Sequence, residues 1–66
     1  MFYKRIVILE NTADIDNIDG SRQFFNYSFS KAIRVFREEC PGVDGMVIGH
    51  TGEAWVYLGR VADIVV

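Results

Sequence analysis

The chain has 66 residues, a formal net charge of −2, and half of its residues hydrophobic. That is one domain near the lower size limit for folding without a staple, and its lone cysteine, Cys40, excludes an internal disulfide. Its charge balance gives no whole-domain attraction to nucleic acid, and its apolar runs, such as Ile6-Val7-Ile8-Leu9, are far short of the roughly 20 residues of a membrane helix. One cysteine and no signal peptide read as an intracellular, cytoplasmic protein.

Phe2 to Leu9 reads as a strand, dominated by β-branched and aromatic residues. Alternation along it sets Phe2, Ile6 and Ile8 against Tyr3, Val7 and Leu9. The stretch NTADIDNIDG follows, with turn formers and three carboxylates: Asp14, Asp16 and Asp19. Gly20 ends it, and Arg22 to Tyr27 is expected to return as the second arm of a hairpin. A calcium loop would need oxygen ligands at alternate positions, glycine at the sixth and glutamate at the twelfth. Counting from Asp14, Ile18 falls fifth, Asp19 sixth and Phe25 twelfth, so the pattern fails. The loop reads as a solvated connection, or as a secondary acidic contact for a basic partner.

Phe29, Ala32, Ile33 and Phe36 form an i, i+3, i+4, i+7 stripe, which predicts an amphipathic helix. Ser28 is its expected N-cap, with Ser30 the competitor. Lys31, Arg34 and Arg37 occupy the flank away from the stripe, and Pro41 stops the helix after Cys40. Met46 to His50 and Glu53 to Leu58 then form a hairpin about Thr51-Gly52. Gly59-Arg60 is expected to turn, and Val61 to Val66 to close the chain as a last strand.

The order ββαβββ implies an α+β, two-layer sandwich: an antiparallel sheet of four or five strands with one helix on one face. The second face is apolar too, through Trp55, Tyr57 and their neighbours, and so invites a partner or a second copy of the chain. Chemistry finds little material. Zinc takes roughly four N or S ligands, and Cys40 and His50 are each the only one of their kind. Ser28 or Ser30 with His50 and Asp44 could be drawn as a triad, but both serines suit capping and no nucleophile elbow is present. No catalytic residue, metal or cofactor is expected. The partner-binding candidates are Lys31, Arg34 and Arg37 on the helix, and Trp55 and Tyr57 on one strand.

With this order and Ser28-Phe29-Ser30-Lys31-Ala32-Ile33-Arg34 in place, the chain resembles small phage-encoded anti-CRISPR proteins, compact type I-F inhibitors among them. The matching pieces are Gly20, Ser28-Phe29-Ser30, Ala32, Cys40, Gly45 and Ala54-Trp55-Val56-Tyr57. The resemblance implies a non-enzymatic inhibitor that binds a host Cas protein or Cas–crRNA complex and keeps target DNA from pairing. Basic residues early in the helix take part in that family. Of two adjacent basic positions there, Arg34 matches one and Ile33 departs from the other. The rival readings are a homo-oligomeric, antitoxin-like regulatory module and a nucleic-acid-binding domain, the latter not favoured by the net charge.

Overall fold

The computed structural model of the chain describes residues 3–10 and 21–66. Four strands and one helix follow in order: β1 (Arg5–Leu9), β2 (Arg22–Phe25), α1 (Phe29–Glu39), β3 (Met46–His50) and β4 (Trp55–Arg60). A short 3-10 turn, Val61–Asp63, comes after β4. All strand pairs are antiparallel, and the sheet order is β2-β1-β3-β4. The two most apolar strands therefore sit in the middle. Asp14, Asp16 and Asp19 lie outside the described residues.

The helix forms where its stripe predicts. Ser28 stands in extended geometry, and its Oγ accepts the Lys31 amide at 3.3 Å. Cys40 N–H donates to the Phe36 carbonyl at the other end, before Pro41. Between these stops, Ala32, Ile33 and Phe36 are fully buried against Ile6 and Ile8 of β1, Phe24 of β2 and Val47 of β3. The helix covers one face of the sheet, as a two-layer arrangement requires. No helix among the described residues is long and apolar enough to cross a membrane.

Three expectations from the sequence are corrected. First, β1 starts at Arg5, so the described Tyr3 and Lys4 lie outside it (Phe2 is outside the described residues), and Tyr3 packs in the helix-side core with Ile6 and Ile8 instead of opposite them. The chain bends at Lys4, and Gly49 makes room for the ring: a Cβ there would stand 2.8 Å from Tyr3 Cδ1. Second, β2 stops at Phe25 because Asn26 takes a left-handed φ of 61°, which asparagine tolerates better than most residues. Third, Gly59 and Arg60 lie inside β4, and Val61–Val66 is not a strand. Leu58 is the extra residue of a bulge opposite Val47 and Ile48, with Gly59 at a φ of 118°.

What replaces the last strand is a set of cross-chain bonds. Val61 N–H donates to the Gly45 carbonyl, and Ala62 N–H donates to Asp44 Oδ1, each at 2.9 Å. Arg37 Nη2 donates to the carbonyls of Val61 at 2.8 Å and Ile64 at 2.6 Å. Backbone groups that a sheet ladder would have satisfied are satisfied by side chains and a loop carbonyl instead.

Phe36 is the largest fully buried side chain among the described residues and a point where the helix meets the sheet. Phe36→Ala is expected to cost about 3–5 kcal/mol, comparable to the whole stability of so small a domain. Thermal and urea unfolding check this: loss of the cooperative transition is expected, and a transition near that of the wild type would contradict the packing role.

Candidate interaction surface

Strand register builds the surface on the sheet face away from the helix. Arg5 pairs with Phe25 on one side and His50 on the other, and His50 pairs with Trp55. Phe25, Arg5, His50 and Trp55 therefore form one row straight across all four strands. Gln23, Val7, Ile48 and Tyr57 form the next row by the same pairing. Leu9, Met46 and Arg60 continue it over three strands.

The first row is held by its own contacts. The Arg5 guanidinium lies 5.6 Å from the Phe25 ring centroid and 5.5 Å from that of Trp55. Its Nε and Nη2 both donate to Gln23 Oε1, at 2.9 and 2.6 Å. A cation near two rings is attracted by both quadrupoles, and the planar guanidinium can also stack on a ring, which the ammonium of Lys cannot. His50 meets Trp55 edge-on, with centroids 4.7 Å apart at 80°. The β3–β4 turn fixes that pair: Gly52 N–H donates to His50 Nδ1 at 3.0 Å, and Thr51 Oγ1 accepts the amides of Glu53 and Ala54. A neutral His50 ring in this arrangement carries its proton on Nε2.

Exposure differs sharply over the face. Val7 and Leu9 are fully buried, whereas Phe25 and Tyr57 are 59% exposed and Trp55 40%. The rings are thus the accessible part, and they stand on strands rather than loops. The rows carry two cations, of which Arg60 is paired with the Asp44 carboxylate. None of the residues in these three rows is Asp or Glu, and Arg5 and Arg60 are cationic. The nearest carboxylates in sequence are Glu10 after β1 and Glu53 in the β3–β4 turn, with Asp44 bound to Arg60.

The predicted partner-binding residues divide between two faces. Trp55 and Tyr57 belong to the sheet face just described. Lys31 and Arg34 are exposed on the helix, across the sheet, with Lys31 Nζ 4.7 Å from the Tyr27 ring centroid. Arg37 is not an open charge: it clamps the C-terminal turn. Arg5, Phe25 and His50 complete the surface and were not among the partner-binding residues expected from sequence, because only the register lines them up. Cys40 packs half-buried against the core with a free thiol. Ser28, His50 and Asp44 each have other partners, on the Lys31 amide, the Gly52 amide, and Arg60 with Ala62. Among the described residues no group of three or more His, Cys, Asp or Glu gathers to hold a metal ion.

No protein-family model, curated protein or solved structure matches the chain.

Two measurements test the network beside this surface. Backbone amides of Ala62 and Gly45, and the Arg60 guanidinium, hold the Asp44 carboxyl below its ordinary value. A lowered folded value means that the carboxylate stabilises the fold fully above an unfolded pKa of about 3.9, and loses that effect as pH falls through the folded value. Asp44→Asn should therefore lower the melting temperature at neutral pH, with the gap to wild type closing below about pH 4. A gap that persists unchanged into stronger acid would contradict the assignment. Separately, Arg37→Ala should cost about 1–3 kcal/mol in urea unfolding by stranding two carbonyls, while Arg34→Ala should stay within about 0.5 kcal/mol. Equal effects would show that Arg37 is no clamp.

Proposed function

We propose that the chain is a non-enzymatic binding module, and that the exposed rings at the rim of its second sheet face are the contact surface. Following the resemblance, it acts in the cytoplasm of an infected host cell as a phage or mobile-element inhibitor. There it occupies a CRISPR–Cas surveillance complex and blocks recognition of target DNA. The observation that carries the surface is the exposure of Phe25, Trp55 and Tyr57 together on one rigid face. Large rings with little side-chain entropy to lose are the residues that concentrate binding energy, and strands hold them in place before the partner arrives. Soluble monomers seldom leave such rings clustered without a use for them.

Helix cations are the weaker alternative. Lys31 and Arg34 are solvated, and exposed charges mostly tune encounter rates and salt dependence. The discriminating experiment measures inhibition of target-DNA binding by a purified type I-F Cas–crRNA complex, at equal folded concentrations. Trp55→Ala with Tyr57→Ala should raise the half-inhibitory concentration about thirtyfold or more, as loss of two anchors of ~1–2 kcal/mol each implies. Lys31→Glu with Arg34→Glu should change it by about threefold or less at moderate salt. The reverse ranking would move the contact to the helix, and a wild-type chain that neither binds nor inhibits such a complex would remove the CRISPR–Cas assignment.

A further inference from the structure

His50 stands inside the first row, and its imidazole is tied into the β3–β4 turn. We infer that it is a pH-sensitive pin: the neutral ring holds Trp55 in the row, and protonation releases it. The inference is read from the contacts of His50 and stands whether or not the rings are the contact surface.

The geometry fixes where the next proton goes. Gly52 N–H donates to His50 Nδ1 at 3.0 Å, so that nitrogen keeps its lone pair and the neutral ring carries its hydrogen on Nε2. A second proton can bind only at Nδ1. Both ring nitrogens are then donors, and the Gly52 amide faces an N–H in place of an acceptor. The bond is lost, so either the ring rotates or the turn shifts. The turn is the firmer side. Thr51 N–H donates to the Ala54 carbonyl at 3.1 Å, and Thr51 Oγ1 accepts the amides of Glu53 and Ala54, each at 3.3 Å. None of those bonds involves the imidazole, which is half-buried and can turn into water. Its rotation ends the edge-on contact with Trp55, whose ring is left with the Arg5 guanidinium beside it.

The surrounding charges push the same way. From β1, Arg5 is the cross-strand partner of His50, and the Lys4 amide donates to the His50 carbonyl at 2.9 Å, with the Lys4 stem beside Gly52. A third positive charge next to these two is repelled outward. From β4, Trp55 lies opposite and Tyr57 one row further on. The Trp55 ring attracts an imidazolium too, but the Arg5 guanidinium already lies 5.5 Å from its centroid. Phe25, the β2 member of the row, carries no charge. Glu53 is exposed in the turn itself, and Glu10 follows the far end of β1.

The chain has one histidine and one tryptophan, so both ends of the pin are separately visible. The experiment follows the His50 ring protons and the Gly52 amide by NMR, and Trp55 by its emission, from about pH 8 to pH 5, where histidine ordinarily changes charge. Asp44, held below its ordinary value, titrates outside that interval. The three signals should move with one midpoint. The Gly52 amide proton should shift upfield as its bond is lost, the nuclear Overhauser contacts between imidazole and indole should vanish, and the emission should change. Urea unfolding should stay cooperative at both ends of the interval. His50→Asn puts an oxygen where Nδ1 stood, so it should keep the Gly52 bond and hold the emission flat across the interval. Glu53→Gln should leave the wild-type step in place.

An imidazole that titrates while the Gly52 amide and the ring contacts stay as they were would overturn the inference. So would an emission step in His50→Asn equal to that of the wild type, a step abolished by Glu53→Gln, or global unfolding within the interval. The contact surface is tested elsewhere and fails separately: inhibition that ignores Trp55 and Tyr57 would leave these signals untouched.

Discussion

Ile6, Val7, Ile8 and Leu9 of β1 are all buried, and everything else in the molecule follows from having to cover a strand that is apolar on both sides. Each such side chain favours burial by about 1.5–3 kcal/mol, so exposing either face would consume much of a small domain's stability. One helix can cover only one face. Ala32, Ile33 and Phe36 do so over Ile6 and Ile8, with Phe24 and Val47 as flanks. On the other face Val7, Leu9 and Ile48 form a separate small cluster with Met46 at its side. β1 takes the central place with β3 because neither could serve as an edge without wetting its residues.

The second face is where stability and recognition meet. Its centre is closed, but its rim is built from rings that remain largely in water. Arg5 joins the two, since its guanidinium lies between the rings of Phe25 and Trp55 while Gln23 fixes its plane. The arrangement ties both exposed rings to one guanidinium. Rings so fixed lose little freedom on binding, which is the condition under which buried area becomes affinity.

Local pattern carried the helix and both hairpins. Ser28 and the Phe29, Ala32, Ile33, Phe36 stripe determine the helix within its own residues, and period-two alternation in β3 and β4 does the same for Trp55 and Tyr57. The misreadings share one cause. Val61–Val66 has strand composition, yet its amides and carbonyls are taken by Asp44, Gly45 and Arg37 from distant parts of the chain. Arg37 occupies the same helix flank as Arg34, and no spacing rule distinguishes the residue that faces the C-terminal turn from the one that faces solvent. Tyr3 departs from its alternation because Gly49, far away in sequence, leaves a space for the ring. For the surface, the sequence marks Trp55 and Tyr57 but not their neighbours. Aligning Phe25, Arg5 and His50 needs the register of three strands, which composition does not set.

The edges of the sheet explain why the face, and not an edge, is the place for a partner to land. β2 is four residues long and stops at the left-handed Asn26. β4 is longer, but Leu58 and Gly59 bulge within it, and the chain then turns away at Val61. Short or bulged edges offer few consecutive amides and carbonyls in register, which disfavours an added strand. What remains accessible and ordered is the row Phe25, Arg5, His50, Trp55 with Tyr57 beside it. A partner that engages this molecule through its sheet must therefore be recognised by rings and charge rather than by backbone pairing. Selectivity then depends on how many flat groups the partner can present at once, and a change at Phe25 alters that number without touching the core beneath it.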